Sequence, residues 1–487
     1  MYEIYRENRK ERWKEEGGNL EKLEQVSRFL TFGVLPVVTM IALVVTYFRY
    51  FRGKIVLKTQ IKYTTSEKAK GVLFGKKWGF IVHSPTDKEG HIAVFGGSGL
   101  GKTSALLIPT LRSWTGTSFT IDISGDICKN VDMPHKLIYE PANPRSVPYN
   151  IFGAIDSMKR EDDQNEALEQ LAFLLMPNSE KMSDASRFFN TEGRKILTAA
   201  LIAFYHQGMD FIPICEKIVR SSWQELFNEI DKTEYQKAIQ YINSFMGASE
   251  QNTSGCKQSV DAVLKLFATN ERIKRTIRRP KSGKLAFTPA KLEKYNVFVI
   301  IDDSKLELYA PILHIITAQS LEFFSNRSND AKTTILFCLD EFASLGKMEI
   351  TGALRKLRKK HVRIMMLTQS MADIDLIYGK DERMAMMNNF RFKVVLGADD
   401  TETQEYFAKL IGYKNVKKYS TSTSATQTTR NESESREFCI EPADLARLKN
   451  HLILLHPDGY LKLRKNFYYK KGITERVKIL FKRTQNG

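Results

Sequence analysis

A lysine and a threonine behind a glycine-rich run are the residues of this chain best suited to chemistry. Gly96-Gly97-Ser98-Gly99-Leu100-Gly101-Lys102-Thr103 fits the phosphate-loop pattern G-x-x-x-x-G-K-[ST] in full. Glycine lets backbone N–H groups close on a polyphosphate, Lys102 can reach the β- and γ-phosphates, and Thr103 can hold Mg²⁺. A pair of acids, Asp340-Glu341, ends an apolar run over 333–339. It fits the companion role, with Asp340 accepting the waters of Mg²⁺ and Glu341 polarising an attacking water as catalytic base. Gln369 ends the next apolar run, where it is placed to sense the γ-phosphate or simply to be a polar strand end. Between them lie Arg355, Lys356, Arg358, Lys359, Lys360 and Arg363. This basic stretch is open to three uses: a neighbouring subunit's phosphate, DNA in a pore, or plain solvation. ATP and Mg²⁺ are the implied ligands, and the loop by itself does not say what the energy drives.

These side chains need a scaffold that gathers them. The apolar run His91–Phe95 reads as a buried strand before the loop, and 104–108 as the start of a helix after it. Further strands are expected over 118–123, 136–139, 297–301, 333–339, 362–368 and 392–396, with a helix over about 309–325. Strands separated by helices in this way make a doubly wound, mainly parallel α/β sheet, whose ligands sit at the carboxyl ends of the strands. Lys102, Asp340, Glu341 and Gln369 would gather there. Strand signals vanish over 158–272, where Leu168, Leu171 and Leu175, then Ile196, Leu197, Ala200, Leu201 and Phe204, recur at helical spacing; more helices are expected over 222–246 and 254–270. The expected organisation is therefore a tail and membrane anchor over 1–53, a nucleotide-binding domain built from 54–157 and 285–487, and an inserted all-alpha domain over 158–284. A strand is expected over 55–63. The Ser/Thr-rich stretch 417–436 reads as a flexible loop or hairpin, and the end of the 437–487 tail as a strand or a loose tail.

A chain of 487 residues with 42% hydrophobic content has ample material for two or three domains. Its formal charge of +18 suggests an anionic partner such as nucleic acid or an anionic membrane face. Arg272, Lys274, Arg275, Arg278, Arg279, Lys281 and Lys284 form one basic segment, read as solvated surface or as a DNA or partner contact. The five cysteines are scattered, which fits reduced thiols and no zinc site. Residues 29–48 run for 20 positions without a charge, bounded by Arg28, Arg49 and Arg52 and flanked by Tyr47 and Tyr50. About 20 apolar residues span a bilayer, so this run is expected to be a transmembrane helix. Flanking Lys and Arg do not decide its orientation; cytosolic ATP does, placing residues after 49 in the cytoplasm and the N-terminal tail outside.

Over about 75–470 the chain resembles the type IV secretion coupling proteins, the TraG/TraD-type ATPases of bacterial conjugation. The phosphate loop with its preceding strand carries part of the resemblance, as do Ile108-Pro109-Thr110-Leu111 and Ile121-Asp122-Ile123-Ser124-Gly125-Asp126, of which Ser124 and Asp126 depart from the family's pattern. Leu339-Asp340-Glu341-Phe342-Ala343-Ser344-Leu345-Gly346-Lys347-Met348 is the most specific segment, and Thr368-Gln369-Ser370 completes the set. The resemblance implies a RecA-like domain interrupted by an all-alpha domain, assembled as a homo-hexamer at the inner face of the cell membrane. It implies ATP-driven delivery of a relaxase-bound DNA strand, single-stranded in preference, to the channel proteins of the secretion system. It also implies that Arg358 acts across the subunit interface, although His361 stands where the family has a glycine. Family members usually carry two N-terminal spans, and this chain shows one. The alternatives are an FtsK/HerA-like duplex pump, a substrate receptor with little hydrolysis, and a coupling ATPase for protein effectors.

Overall fold

Short apolar runs ending in glycine or acid build one large sheet, in which the phosphate loop leaves a central strand. The computed structural model describes residues 7–8, 11, 33–56, 61–178, 182–281, 284–423 and 428–469. Residues 1–62 and 63–487 form two compact units.

In the second unit, β4 (His91–Phe95) runs parallel to β9 (Val362–Thr368) on one side and β10 (Phe390–Val395) on the other. Beyond β9 come β8 (Ile335–Leu339), β5 (Thr117–Asp122), β7 (Asn296–Ile300) and β6 (Lys136–Tyr139), each parallel to its neighbour. β4, β5, β8 and β9 are buried along their whole length. This is why they read as continuous apolar runs rather than as alternating ones. Beyond β10 the pairing turns antiparallel through β13 (His451–His456), β14 (Gly459–Arg464), β2 (Val72–Lys77) and β3 (Phe80–Ser84). β1 (Lys62–Thr64) closes that edge. Of the strand expected over 55–63, Ile55 and Val56 belong to a helix and Lys62 and Tyr63 to β1, while 57–60 lie outside the described residues.

Two polar side chains are buried in this sheet at a cost that local hydrogen bonds offset. His91 bridges strands: its Nε2–H donates to Leu354 O at 2.9 Å, and its Nδ1 accepts from Ile364 N–H at 3.0 Å. Burial pushes the imidazole down to about 4, so it is neutral, as those two bonds require. Arg363, 1% exposed, donates to Gly90 O, Pro85 O and Ser84 Oγ. It is therefore a structural residue, not part of a solvated basic surface.

Between β6 and β7 the described residues hold seven α-helices, from Glu161–Leu175 to Glu271–Thr276. Side-chain caps at Ser183, Asp210, Ser222, Ser249 and Asn270 divide the run. Leu168, Leu201, Phe204 and Phe267 share one hydrophobic cluster with Phe119, Ile121 and Val299 of the sheet. In the basic segment that follows, Lys274 pairs with Glu216 at 2.7 Å and Arg279 with Asp156 at 2.8 Å, so two of its charges are used internally. The stretch 417–436 lies within a hairpin of β11 (Tyr413–Thr423) and β12 (Thr428–Phe438), a separate two-stranded sheet. Residues 470–487 lie outside the described residues.

The first unit contains the helix Leu35–Val56. Leu35, Val37, Val38, Met40, Ile41, Leu43, Val44 and Val45 are exposed along it. Among the described residues no helix is long and apolar enough to cross a membrane. Of the span expected over 29–48, residues 35–48 lie in this helix. Residues 29–32 lie outside the described residues.

Candidate nucleotide-binding site

Three adjacent parallel strands deliver the site. β4 ends in the phosphate loop, β8 in Asp340-Glu341 and β9 in Gln369, and β4·β9 and β9·β8 are direct neighbours in the sheet. The loop is tied down on both flanks, by Gly96 N–H to Thr368 O at 3.2 Å and Leu396 N–H to Phe95 O at 2.8 Å. Two loop glycines, Gly99 and Gly101, have φ +74° and +96°, left-handed conformations that favour glycine, and a Cβ on Gly97 would meet the Asp399 carboxylate at 2.6 Å. The helix behind the loop starts with a π-wound stretch, Lys102–Leu107, before continuing as α over Ile108–Ser113. Such widened turns concentrate at functional sites.

Lys102 is 6% exposed. Its Nζ donates to Gly96 O at 2.9 Å and lies 3.3 Å from Glu341 Oε1. Gln369 Nε2 donates to Glu341 Oε2 at 3.4 Å. The carboxylate of Glu341 thus sits between the loop lysine and the glutamine. Its own backbone is left-handed, with φ +46° and ψ +50°, which costs a non-glycine residue roughly 1–2 kcal/mol. Held by the surrounding fold, such strain is typical of functional positions.

Asp340 is buried, and its Oδ1 has no hydrogen-bond partner among the described residues. Burial, then the neighbouring Glu341, raises its carboxyl to about 7; Lys102 pulls it down and Asp122 adds to the rise. A buried carboxylate oxygen without a donor, at the strand end beside the loop lysine, fits a hydrated divalent cation. Asp122 carries no motif of its own in the sequence, yet it ends β5 as Asp340 follows β8. Its Oδ2 accepts from Cys128 N–H at 2.8 Å, and its burial raises its carboxyl above the usual range.

The tail after the two acids holds them in place. Phe342 stacks on Tyr378 with centroids 5.5 Å apart, and Phe342, Leu345 and Met348 are buried. Met348 N–H donates to the Tyr378 hydroxyl at 3.0 Å, and that hydroxyl donates to Gly346 O at 3.3 Å. This is the physical role of the Phe-Ala-Ser-Leu-Gly-Lys-Met segment.

Arg358 is not in this group. It precedes β9, at the opposite end of the parallel strands from the loop, where its Nε lies 3.7 Å from Glu89 Oε2 just before β4. The length of β4 separates the two ends by about 16 Å. There Arg355, Arg358 and Arg391 line a cleft of about 320 Å³ with Asn388 and Asn389.

A model of the family described as type IV secretory system conjugative DNA transfer matches residues 54–486. The chain belongs to this family. It is similar to the VirD4 protein of Agrobacterium fabrum, at 24% identity over 435 residues, covering 84% of this chain and 64% of that protein. The chain therefore spans slightly under two-thirds of the length of that relative. Among solved structures, the bacterial conjugative coupling protein TrwBdeltaN70 aligns with a TM-score of 0.65 at 19% identity, over 83% of this chain and 89% of that one. TrwB in complex with ADP and Mg²⁺ aligns with a TM-score of 0.62 at 20% identity, over 79% and 86% of the two chains. The shared architecture of this family member is mixed α/β with a large parallel sheet.

Proposed function

We propose that this family member is the ATPase of a type IV secretion coupling complex, binding ATP with Mg²⁺ and using hydrolysis to deliver a relaxase-bound DNA strand to the secretion channel. The observation that carries the reading is the convergence of Lys102, Asp340, Glu341 and Gln369 at the carboxyl ends of β4, β8 and β9. The loop N–H groups from Gly96 to Thr103 would cradle the phosphates, and Lys102 would exchange its contact with Glu341 for the γ-phosphate. Thr103 and Asp340 would hold Mg²⁺, which when bound neutralises charge building on the phosphates. Glu341, released from Lys102, takes the proton of the attacking water, while Gln369 positions that carboxylate.

A further cation at the γ-phosphate accelerates hydrolysis of this kind by about 10³–10⁵-fold. Arg358 lies too far from its own loop to supply it, so it serves the site of a neighbouring copy. Its cleft with Arg355 and Arg391 supports a head-to-tail ring, which we read as a hexamer. The net charge of +18 supports a DNA backbone tracked without sequence readout.

Steady-state hydrolysis by the full chain is expected to rise with single-stranded DNA more than with duplex. Preference for duplex would favour a duplex pump, and no turnover from a demonstrated hexamer would favour a substrate receptor. Arg358→Ala should lower turnover by about 10³-fold with ATP binding retained; unchanged turnover removes Arg358 from the mechanism.

We infer a membrane attachment through the N-terminal helix and the residues before it. The exposed apolar side chains along Leu35–Val56 support it, as do Thr39 and Thr46, whose hydroxyls donate to Leu35 O and Ala42 O and so need no water. The full chain should float with lipid vesicles and the chain lacking residues 1–53 should not. Flotation of the shortened chain would refute this anchor.

A further inference from the structure

The chain leaving β14 folds back over the phosphate loop. Lys465 Nζ donates to Leu100 O at 2.8 Å, and Tyr468 N–H donates to Ser104 O at 3.0 Å. Phe467 reaches so close to Gly101 that a Cβ there would sit 3.0 Å from its Cε1. The strap is fixed from behind as well: Lys465 N–H donates to Asn450 O at 2.8 Å, and the Arg112 guanidinium lies 4.9 Å from the Tyr468 ring centre. Phe467 and Tyr469 sit side by side, with centroids 5.4 Å apart. Phe467 is half-buried and Tyr469 is 58% exposed.

The position of the strap relative to the loop has a direction. Lys102 Nζ faces Glu341, which marks the γ-phosphate end. The strap touches Leu100, Gly101 and Ser104 instead. In a nucleoside triphosphate the nucleoside is at the far end of the phosphate chain from the γ-phosphate. We propose that 465–469 forms the nucleoside wall of the ATP site, with Phe467 and Tyr469 as the surface on which the purine base stacks. This rests on reading 96–103 as a triphosphate site. Stacking on an aromatic face holds a base through its π-surface and its apolar area, with little demand on hydrogen-bonding pattern. The rival is that the strap only braces the loop; a brace would support any polyphosphate equally.

Calorimetric titration of the full chain with ADP and with inorganic tripolyphosphate separates the two. Phe467→Ala is expected to weaken ADP binding about tenfold and to leave tripolyphosphate within about twofold, with Phe467→Trp restoring ADP. Tyr469→Ala, at an exposed ring, should act with the same ligand selectivity and without a folding risk. Equal weakening of both ligands, or unchanged ADP affinity in both alanine variants, overturns the proposal. Failure of the unsubstituted chain to bind either ligand overturns the triphosphate-site reading beneath it.

Discussion

Lys102→Ala is expected to abolish ATP hydrolysis, by about 10³-fold or more, and DNA transfer with it. One preorganised donor aimed at developing charge is worth about 10²–10³-fold on its own, and Lys102 is more than one donor. Its ammonium is almost fully buried and is held by Gly96 O at 2.9 Å beside Glu341. It is also the charge that pulls down the carboxyl of Asp340 against burial and the repulsion of Glu341 and Asp122. Its removal leaves a cluster of acids without a nearby cation, which repels a polyphosphate and keeps Asp340 protonated to higher pH. Nucleotide binding should fall together with turnover. Steady-state hydrolysis and mating frequency check this, and retained transfer would sink the motor reading.

Glu341→Gln is expected to separate binding from chemistry. Glutamine keeps the size of the side chain and its one amide oxygen can accept from Lys102 or from Gln369, but it cannot take a proton from water. General-base contributions are about 10²–10⁴-fold, so turnover should fall by that range. ATP affinity should hold or increase, because Lys102 is no longer paired with a carboxylate 3.3 Å away. The left-handed backbone at position 341 is a feature of the surrounding turn and should survive the substitution. Near-normal turnover would remove Glu341 as the base. Lost binding would instead assign the carboxylate a structural role.

The two substitutions are informative because they act on one contact from its two ends. Loss of Lys102 removes the charge that both holds phosphate and restrains Glu341. Loss of the Glu341 charge frees Lys102 for phosphate but leaves water without a base.

Much of the site was legible because its pieces are local in sequence. A phosphate loop is eight consecutive residues, and the acids and glutamine each follow directly on a fully buried strand. Runs such as Ile335–Leu339 and Val362–Thr368 must be apolar along their whole length, since helices cover both faces, and so their ends are sharply marked. The helices between β6 and β7 were legible for the same kind of reason, through a repeating apolar stripe and polar caps.

What tertiary structure decided depends on neighbours far away in the chain. Arg363 reads as one more charge in a basic run, yet carbonyls of Pro85 and Gly90 make it a buried structural residue. Arg358 reads as a catalytic candidate, and the parallel direction of β4 and β9 puts it at the wrong end of its own sheet. β14 lacked a continuous apolar pattern, because it is exposed over most of its length and is held by its partners. The apolar run 29–48 suggested a helix end at Phe48, but the helix carries on through Arg49 and Arg52 to Val56. Lys465 and Phe467 bore no sequence sign at all; they reach the loop only because β14 returns the chain to it. Sequence by itself therefore determined the chemistry that lies within a strand end and its loop, where short-range sterics and burial set residue type. The sheet's order and direction decided which of those ends meet, because only long-range pairing brings residues 102, 341, 369 and 467 to one place.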